Sequence, residues 1–391
     1  MSGSTLDNFK SRGQVYCDLG VRPIINAQGT TTTLGGSMVD PVAAKAMAAA
    51  SNSMVFLKEL NDRAGELIAR CTGSEAGLVT SGAAGGMLLE AAAVLAGTDP
   101  ALIRALPDTT GTKNEVIVLD HQKHVGYLHA WRAAGATLVP VSIDSAELAG
   151  EAAAEVIAAA GPKTAAVGYV VSRWLRPDPP GFLMELCRQA HARGLPVIVD
   201  AAAMLPPVEN LRRYTADGAD LVAFSGGKAI RAPQSAGILA GRRDLIKAAE
   251  LNGAPNDAVG RGMKICKEEI VGMMVALKRY VERDHAADQC RWKAQMQVVA
   301  TALQSVPGVR AQVMQDDFSR PVPEVAITFG RDYKGPAWKE VYDRLAAGNP
   351  PIVIGGKNPR GDDLFVNAHN LADGEEAIVA ERLKAELTRK S

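Results

Sequence analysis

Between residues 74 and 245 short apolar runs alternate with alanine-rich stretches of helical period, and few folds accept that alternation. The runs are AGLVTSG, EVIVLD, TLVPVS, TAAVGYVVS, LPVIVDAA, DLVAFSG and AGILAG, with helical stretches such as GMLLEAAAVLAG, HVGYLHAWRAAG and FLMELCRQAHARG between them. A strand that is apolar along its whole length, rather than at every second position, is buried on both faces. Strands of that kind joined by helices make a mostly parallel sheet covered on both sides, an α/β domain. Residues 264–283, KICKEEIVGMMVALKRYVER, keep a helical period and predict a long helix leaving that domain. Beyond it VPEVAITFG, PPIVIGG and DLFVNAH read as strands, and KEVYDRLAAG and EEAIVAERLKAEL as helices, of a smaller α+β domain. The expected organisation is an irregular N-terminal arm over 1–40, a large domain over 41–285 that includes the long helix, and a small C-terminal domain over 286–391.

Lys plus Arg and Asp plus Glu number 43 each, so no global field draws the chain to nucleic acid or an anionic membrane. The opening MSGSTLDNFKSRGQVY lacks the apolar core of a signal peptide, and Gly, Pro or charge breaks every long apolar stretch. The expectation is a cytoplasmic protein with no membrane span. Cys17, Cys71, Cys187, Cys266 and Cys290 show neither CxxC nor Cys/His ligand spacing, which predicts reduced, mostly buried thiols and no metal site.

In VTSGAAGGMLLEAAA a strand ends at Thr80, and Ser81-Gly82-Ala83-Ala84-Gly85-Gly86 opens a helix. Small residues there let backbone N–H groups converge on an anion at the positive helix end. The stretch is neither GxxxxGK[ST] nor GxGxxG, so a nucleotide reading lacks its motif, and a tight turn that binds nothing has the same look. LPVIVDAAA delivers Asp200 to the carboxyl end of a strand, where open α/β sheets meet their ligands. A carboxylate there can hold a ring nitrogen protonated, with the methyl of Ala202 flat against the ring, or it can cap a helix. DLVAFSGGKAIRAPQSAG then places Lys228 at the end of the next strand, where desolvation lowers an amine's pKa and favours Schiff-base chemistry. Phosphate cradle, ring-nitrogen acid and Schiff-base lysine, in that order, describe a site for pyridoxal 5′-phosphate (PLP). DHQKHVGYLHAW adds His121 and His124, either of which can stack on the ring or shuttle a proton, with His121 at the strand end.

These residues resemble fold-type I PLP enzymes of the selenocysteine-synthase-like family, in its ammonia-lyase branch. The resemblance runs over nearly the whole chain, and its most specific stretches are SGGK-x-x-x-x-PQSAG and GR-x-x-K-x-x-KEE. It implies a large PLP-binding domain with a smaller C-terminal domain. It also implies that Lys228 carries the cofactor as a Schiff base, that Asp200 contacts the ring nitrogen, and that Ser81, Gly82, Ala83 and Ser225 hold the phosphate. It implies a homodimer or larger homo-oligomer, with Asn26, Gly29 and Thr30 bordering a small amino-acid substrate and Arg261 with Lys264 reaching its phosphate or carboxylate. The C-terminal strand reads VNAHNL, with Asn367 and His369 where relatives have an arginine, and the arm is short, so a tRNA substrate is disfavoured. Arg173, Arg176 and Arg360 are further partners for a substrate anion, although NPRGDD around Arg360 also has the look of an exposed turn.

The expected reaction is α,β-elimination of ammonia or water from a small polar or sugar amino acid. The same cofactor also supports β-replacement, racemisation, aldol cleavage or transamination, and a catalytically silent PLP-fold binding protein stays open.

Overall fold

The computed structural model describes residues 2–123, 125–143, 148–175 and 177–389. All seven apolar runs are strands of one sheet, in the order Ala76–Thr80, Gly237–Gly241, Leu221–Ser225, Val197–Asp200, Thr164–Val170, Glu115–Leu119 and Thr137–Val141. Neighbours are parallel except where Gly237–Gly241 runs against both of its partners. Thr164–Val170 is buried at every position, as its unbroken apolar sequence requires.

The helix Gly82–Ala96 is buried on almost every face, which suits a helix with one charged residue, Glu90. Fully buried Trp131, on the helix His129–Ala133, crosses the neighbouring strand so closely that a Cβ at Gly168 would stand 2.5 Å from its ring. A glycine inside a strand marks that kind of approach. Trp131 packs into the core, whereas the nearby Tyr127 and His129 are exposed.

Residues 38–283 form one compact unit, and residues 1–37 with 284–391 form the other. The N-terminal stretch is therefore not a separate irregular arm. Ser2–Asp18 is a helix, fixed to its own unit by buried Phe9, by Gly13 closing on Pro23, and by an Arg12–Glu375 ion pair. Ile25–Ala27 pairs in parallel with Ile352–Ile354, and Val309–Met314, Glu324–Phe329 and Leu364–Asn367 form an antiparallel sheet. The expected helix over 264–283 is Lys267–Glu282, capped by Cys266, whose N–H donates to the Glu269 carboxylate at 3.2 Å. The helix His285–Leu303 was not expected.

A buried ionic cluster anchors the second unit. Arg320, 8% exposed, donates to both oxygens of Asp362 at 2.9 and 2.7 Å, and Arg360 lies 2.9 Å from Glu324. Asn367 also donates to Glu324, at 2.9 Å. Two cations and two carboxylates balance here, so losing one leaves an uncompensated buried charge. Arg320→Ala is accordingly expected to destabilise by about 3 kcal/mol. The denaturant midpoint reads this, and a midpoint equal to wild type would mean that solvent reaches the cluster.

The five cysteines are free, but only Cys71 and Cys187 are buried; Cys17, Cys266 and Cys290 are exposed, against expectation. Burial pushes the Cys187 thiol up to about 12. Among the described residues no helix is long and apolar enough to cross a membrane. No group of three or more His, Cys, Asp or Glu among them could hold a metal ion.

Candidate active site

Thr80, Asp200 and Ser225 each end a strand, and the helix Gly82–Ala96 follows Thr80 directly. Asp200 lies in register with Val170 on one side and Ala223 on the other, so the strand ends form one edge.

The turn into the helix is built for close approach. Gly82 has φ +67°, and a Cβ at Gly237 would stand 2.5 Å from the Gly82 carbonyl carbon. Ser81 occupies the N-cap position without capping, and its buried Oγ has no hydrogen-bond partner among the described residues. A side chain at Gly85 would fill the space beside that oxygen, since its Cβ would come within 2.4 Å. A spare buried hydroxyl beside first-turn N–H groups that lack helical acceptors fits a phosphate.

Asp200 is 3% exposed, and its Oδ1 accepts from Ala202 N at 2.9 Å. Burial raises its carboxyl above the usual range; the Ala202 N–H and the charge of Lys228 pull the other way. Burial likewise holds the Lys228 amine below the usual lysine range, opposed by Asp200 and reinforced by Arg173. Arg173 donates to the Pro206 carbonyl at 2.9 Å. Lys228 rides on a folded-back loop, in which Gly226 N donates to Ala236 O at 2.9 Å and Arg231 N to Lys228 O at 3.0 Å. A Cβ at Gly227 would meet Gln234 Cα at 2.4 Å, so tight loop packing accounts for the glycine before the lysine. An acid suited to a ring nitrogen, a desolvated amine and an anion cradle thus share one sheet edge, and the residues fit PLP.

His121 sits in the 3-10 turn Asp120–Gln122, with Nε2 3.8 Å from Asp178 Oδ1. The other oxygen of Asp178 accepts from the Tyr169 hydroxyl at 2.7 Å. Gln122, fully buried, ties the turn to the next strand through Val170 N (2.9 Å) and Val170 O (3.1 Å). His124 and Arg176 lie outside the described residues.

Arg261 and Lys264 line, with Thr80, Leu57 and Met263, a cavity of about 360 Å³. The Arg261 side chain is 49% exposed and 3.8 Å from Asp257. In the other unit, Asn26 closes a small loop by donating to Gly29 O at 3.0 Å and accepting from Gly29 N at 3.2 Å, with Thr30 next in the chain. Asn370 clamps the same carbonyl at 3.1 Å. Arg360 is no exposed turn residue, being part of the buried cluster, and His369 stacks on Trp292 with ring centroids 5.5 Å apart.

Sequence reasoning missed Tyr169, Asp178, Gln122 and Glu90. Glu90 is fully buried; Oε2 accepts from Trp131 Nε1 at 3.1 Å, and Oε1 has no partner among the described residues. Burial pushes its carboxyl well above the usual range, and the nearby charge of Asp200 adds to this. Its one visible signal was a lone carboxylate in an apolar helix.

Fold and site together define a PLP-dependent enzyme of fold type I. Residues 191–321 match the family described as SelA: L-seryl-tRNA selenium transferase. D-glucosaminate-6-phosphate ammonia lyase of Salmonella typhimurium is 33% identical over 373 residues, 95% of this chain and 97% of that protein. The 5′-C-glycyluridine monooxygenase-decarboxylase of Streptomyces sp is 34% identical over 376 residues, 93% of this chain and 90% of that protein. The solved structure of D-glucosaminate-6-phosphate ammonia-lyase matches with a TM-score of 0.81 at 32% identity, covering 95% of this chain and 98% of that one. The chain belongs to the selenocysteine-synthase-like family of PLP enzymes that includes D-glucosaminate-6-phosphate ammonia lyase.

Proposed function

We propose that the protein is a PLP-dependent lyase that eliminates ammonia or water from a sugar amino acid such as an aminogluconate or its phosphate. Its near full-length likeness to an ammonia lyase carries this reading. The Ser81–Asp200–Lys228 constellation agrees with it. When bound, PLP supplies an electron sink for the carbanion formed at the substrate Cα.

The Ser81 hydroxyl and the N–H groups of Gly82 and Ala83, with Ser225, would hold the phosphate. Asp200 would hold a proton at the ring nitrogen, and Ala202 would offer its methyl to the ring face. Lys228 Nζ would hold the cofactor's aldehyde and is the base that would move the proton at the substrate Cα; burial favours its neutral, basic form. The Cβ substituent then leaves with a proton, and the released enamine hydrolyses to a 2-keto acid and ammonia. Arg261 and Lys264 offer the positive charge that a distal phosphate or carboxylate needs. Arg360 serves such an anion only by exchanging it for Glu324. We read the enzyme as cytoplasmic and as a homodimer or larger homo-oligomer, the latter checked by light scattering.

A second reading, oxidative decarboxylation, is favoured by the equally similar monooxygenase-decarboxylase. Purified holoenzyme incubated with D- and L-2-amino-2-deoxyaldonates and their 6-phosphates separates the two. Ammonia and keto acid without oxygen uptake support elimination. Carbon dioxide release with oxygen uptake overturns it, and a colourless, inert protein leaves only a binding role.

A further inference from the structure

We infer that Asp178, clamped by Tyr169, is a positioning residue for His121, committing Nε2 of the imidazole to the protein so that Nδ1 hands a proton to the departing β-substituent. This role rests on the lyase reading above.

The geometry is a carboxylate between a buried donor and a half-open imidazole. Tyr169 is buried with its ring 5.7 Å from Phe182, and its hydroxyl donates to Asp178 Oδ2 at 2.7 Å. Burial and the adjacent Asp178 charge hold the phenol well above its ordinary range, so Tyr169 stays a donor and Asp178 an acceptor. The carboxylate side chain is 7% exposed, whereas the His121 side chain is 33% exposed. Oδ1 faces Nε2 at 3.8 Å, too long for a hydrogen bond but close enough for the carboxylate charge to favour a proton on that nitrogen. The Gln122–Val170 clamp fixes the backbone of the turn, which leaves mainly ring rotation for Asp178 to restrain. Carboxylate, imidazole and reacting group in that order are the arrangement of an acid–base triad.

The step balances. As the bond from Cβ to the leaving oxygen or nitrogen breaks, that atom keeps the electron pair and takes the Nδ1 proton of the imidazolium. His121 is left neutral, keeping its Nε2 proton, which faces the Asp178 carboxylate, and Lys228 has gained the Cα proton.

Nitrogen-15 NMR of histidine-labelled enzyme tests the positioning without any substrate, with His121→Gln assigning the resonance. Wild type is expected to hold neutral His121 as the Nε2–H tautomer, and Asp178→Asn to give a mixture. Tyr169→Phe removes only the hydroxyl and is expected to move the ratio in the same direction, which covers the case that Asp178→Asn does not fold. With a lyase substrate, Asp178→Asn is expected to lower kcat by about 10- to 100-fold and to change KM less than about threefold. An unaltered tautomer in both variants, or unaltered kcat in a folded Asp178→Asn enzyme, overturns the role. Failure to find any lyase substrate sinks the lyase reading, while the tautomer result still decides whether Asp178 positions His121.

Discussion

Lys228→Ala is expected to fold normally and to lose turnover by a factor on the order of 10⁴ or more. The amine contributes chemistry rather than packing. Its burial already holds it below the usual lysine range, which means that the folded state disfavours its charge. Removing it therefore relieves a desolvation cost, and the variant's Tm is expected to equal or exceed that of wild type. The loop keeps its form because backbone bonds such as Gly226 N to Ala236 O, not the lysine side chain, close it. Borohydride reduction of wild-type holoenzyme followed by peptide mapping is expected to add the cofactor's mass at Lys228, with no adduct in the variant. An adduct at another lysine, or turnover within tenfold of wild type, would remove Lys228 from the chemistry.

Lys228 stood out in the sequence because several local signals coincided on it: an apolar run, two glycines, and its place just past the strand that follows Asp200. The sheet was readable for a related reason, since strands buried on both faces carry an apolar run that needs no partner to be recognised. Asp178 and Tyr169 had no such local mark. Their role exists only because adjacent parallel strands bring the turn after Glu115–Leu119 beside the end of Thr164–Val170. Arg360 misled in the opposite sense. NPRGDD has the local chemistry of an exposed turn, yet Glu324, from a different strand, draws the guanidinium into a buried cluster.

The helix His285–Leu303 could have been found. Trp292, Met296, Val299 and Leu303 are buried at a helical spacing, but scattered charges and a shallow apolar stripe hid the period. Ser2–Asp18 gave even less, with Phe9 as the one large side chain buried among its described residues. Its helix is stabilised by contacts within its own unit, which local sequence does not record.

Asp200→Asn is expected to retain bound cofactor and to lose turnover by a factor on the order of 10³. The amide is nearly isosteric and still accepts from Ala202 N, so the local backbone is kept. What it loses is the negative charge that holds a proton on the ring nitrogen, and a neutral ring is a poorer electron sink for the Cα carbanion. The loss belongs to the chemical step, so kcat and kcat/KM fall together while cofactor affinity, set largely by the Ser81 turn and Lys228, changes little. The pH profile supplies a second check. The ionised carboxylate is the working form, so activity falls as pH drops through its pKa. Burial raises that value above the ordinary carboxylate range, while the Ala202 N–H, Lys228 and a bound, protonated ring nitrogen lower it. Wild type is therefore expected to show an acid limb from Asp200, and the Asn variant, which has nothing to titrate there, to lose that contribution. Stability is expected to hold or rise, because a buried charge has been replaced by a neutral group of the same shape. Wild-type turnover in Asp200→Asn, with the acid limb intact, would reduce Asp200 to a local acceptor for the Ala202 N–H and leave the ring nitrogen without an acid in this site.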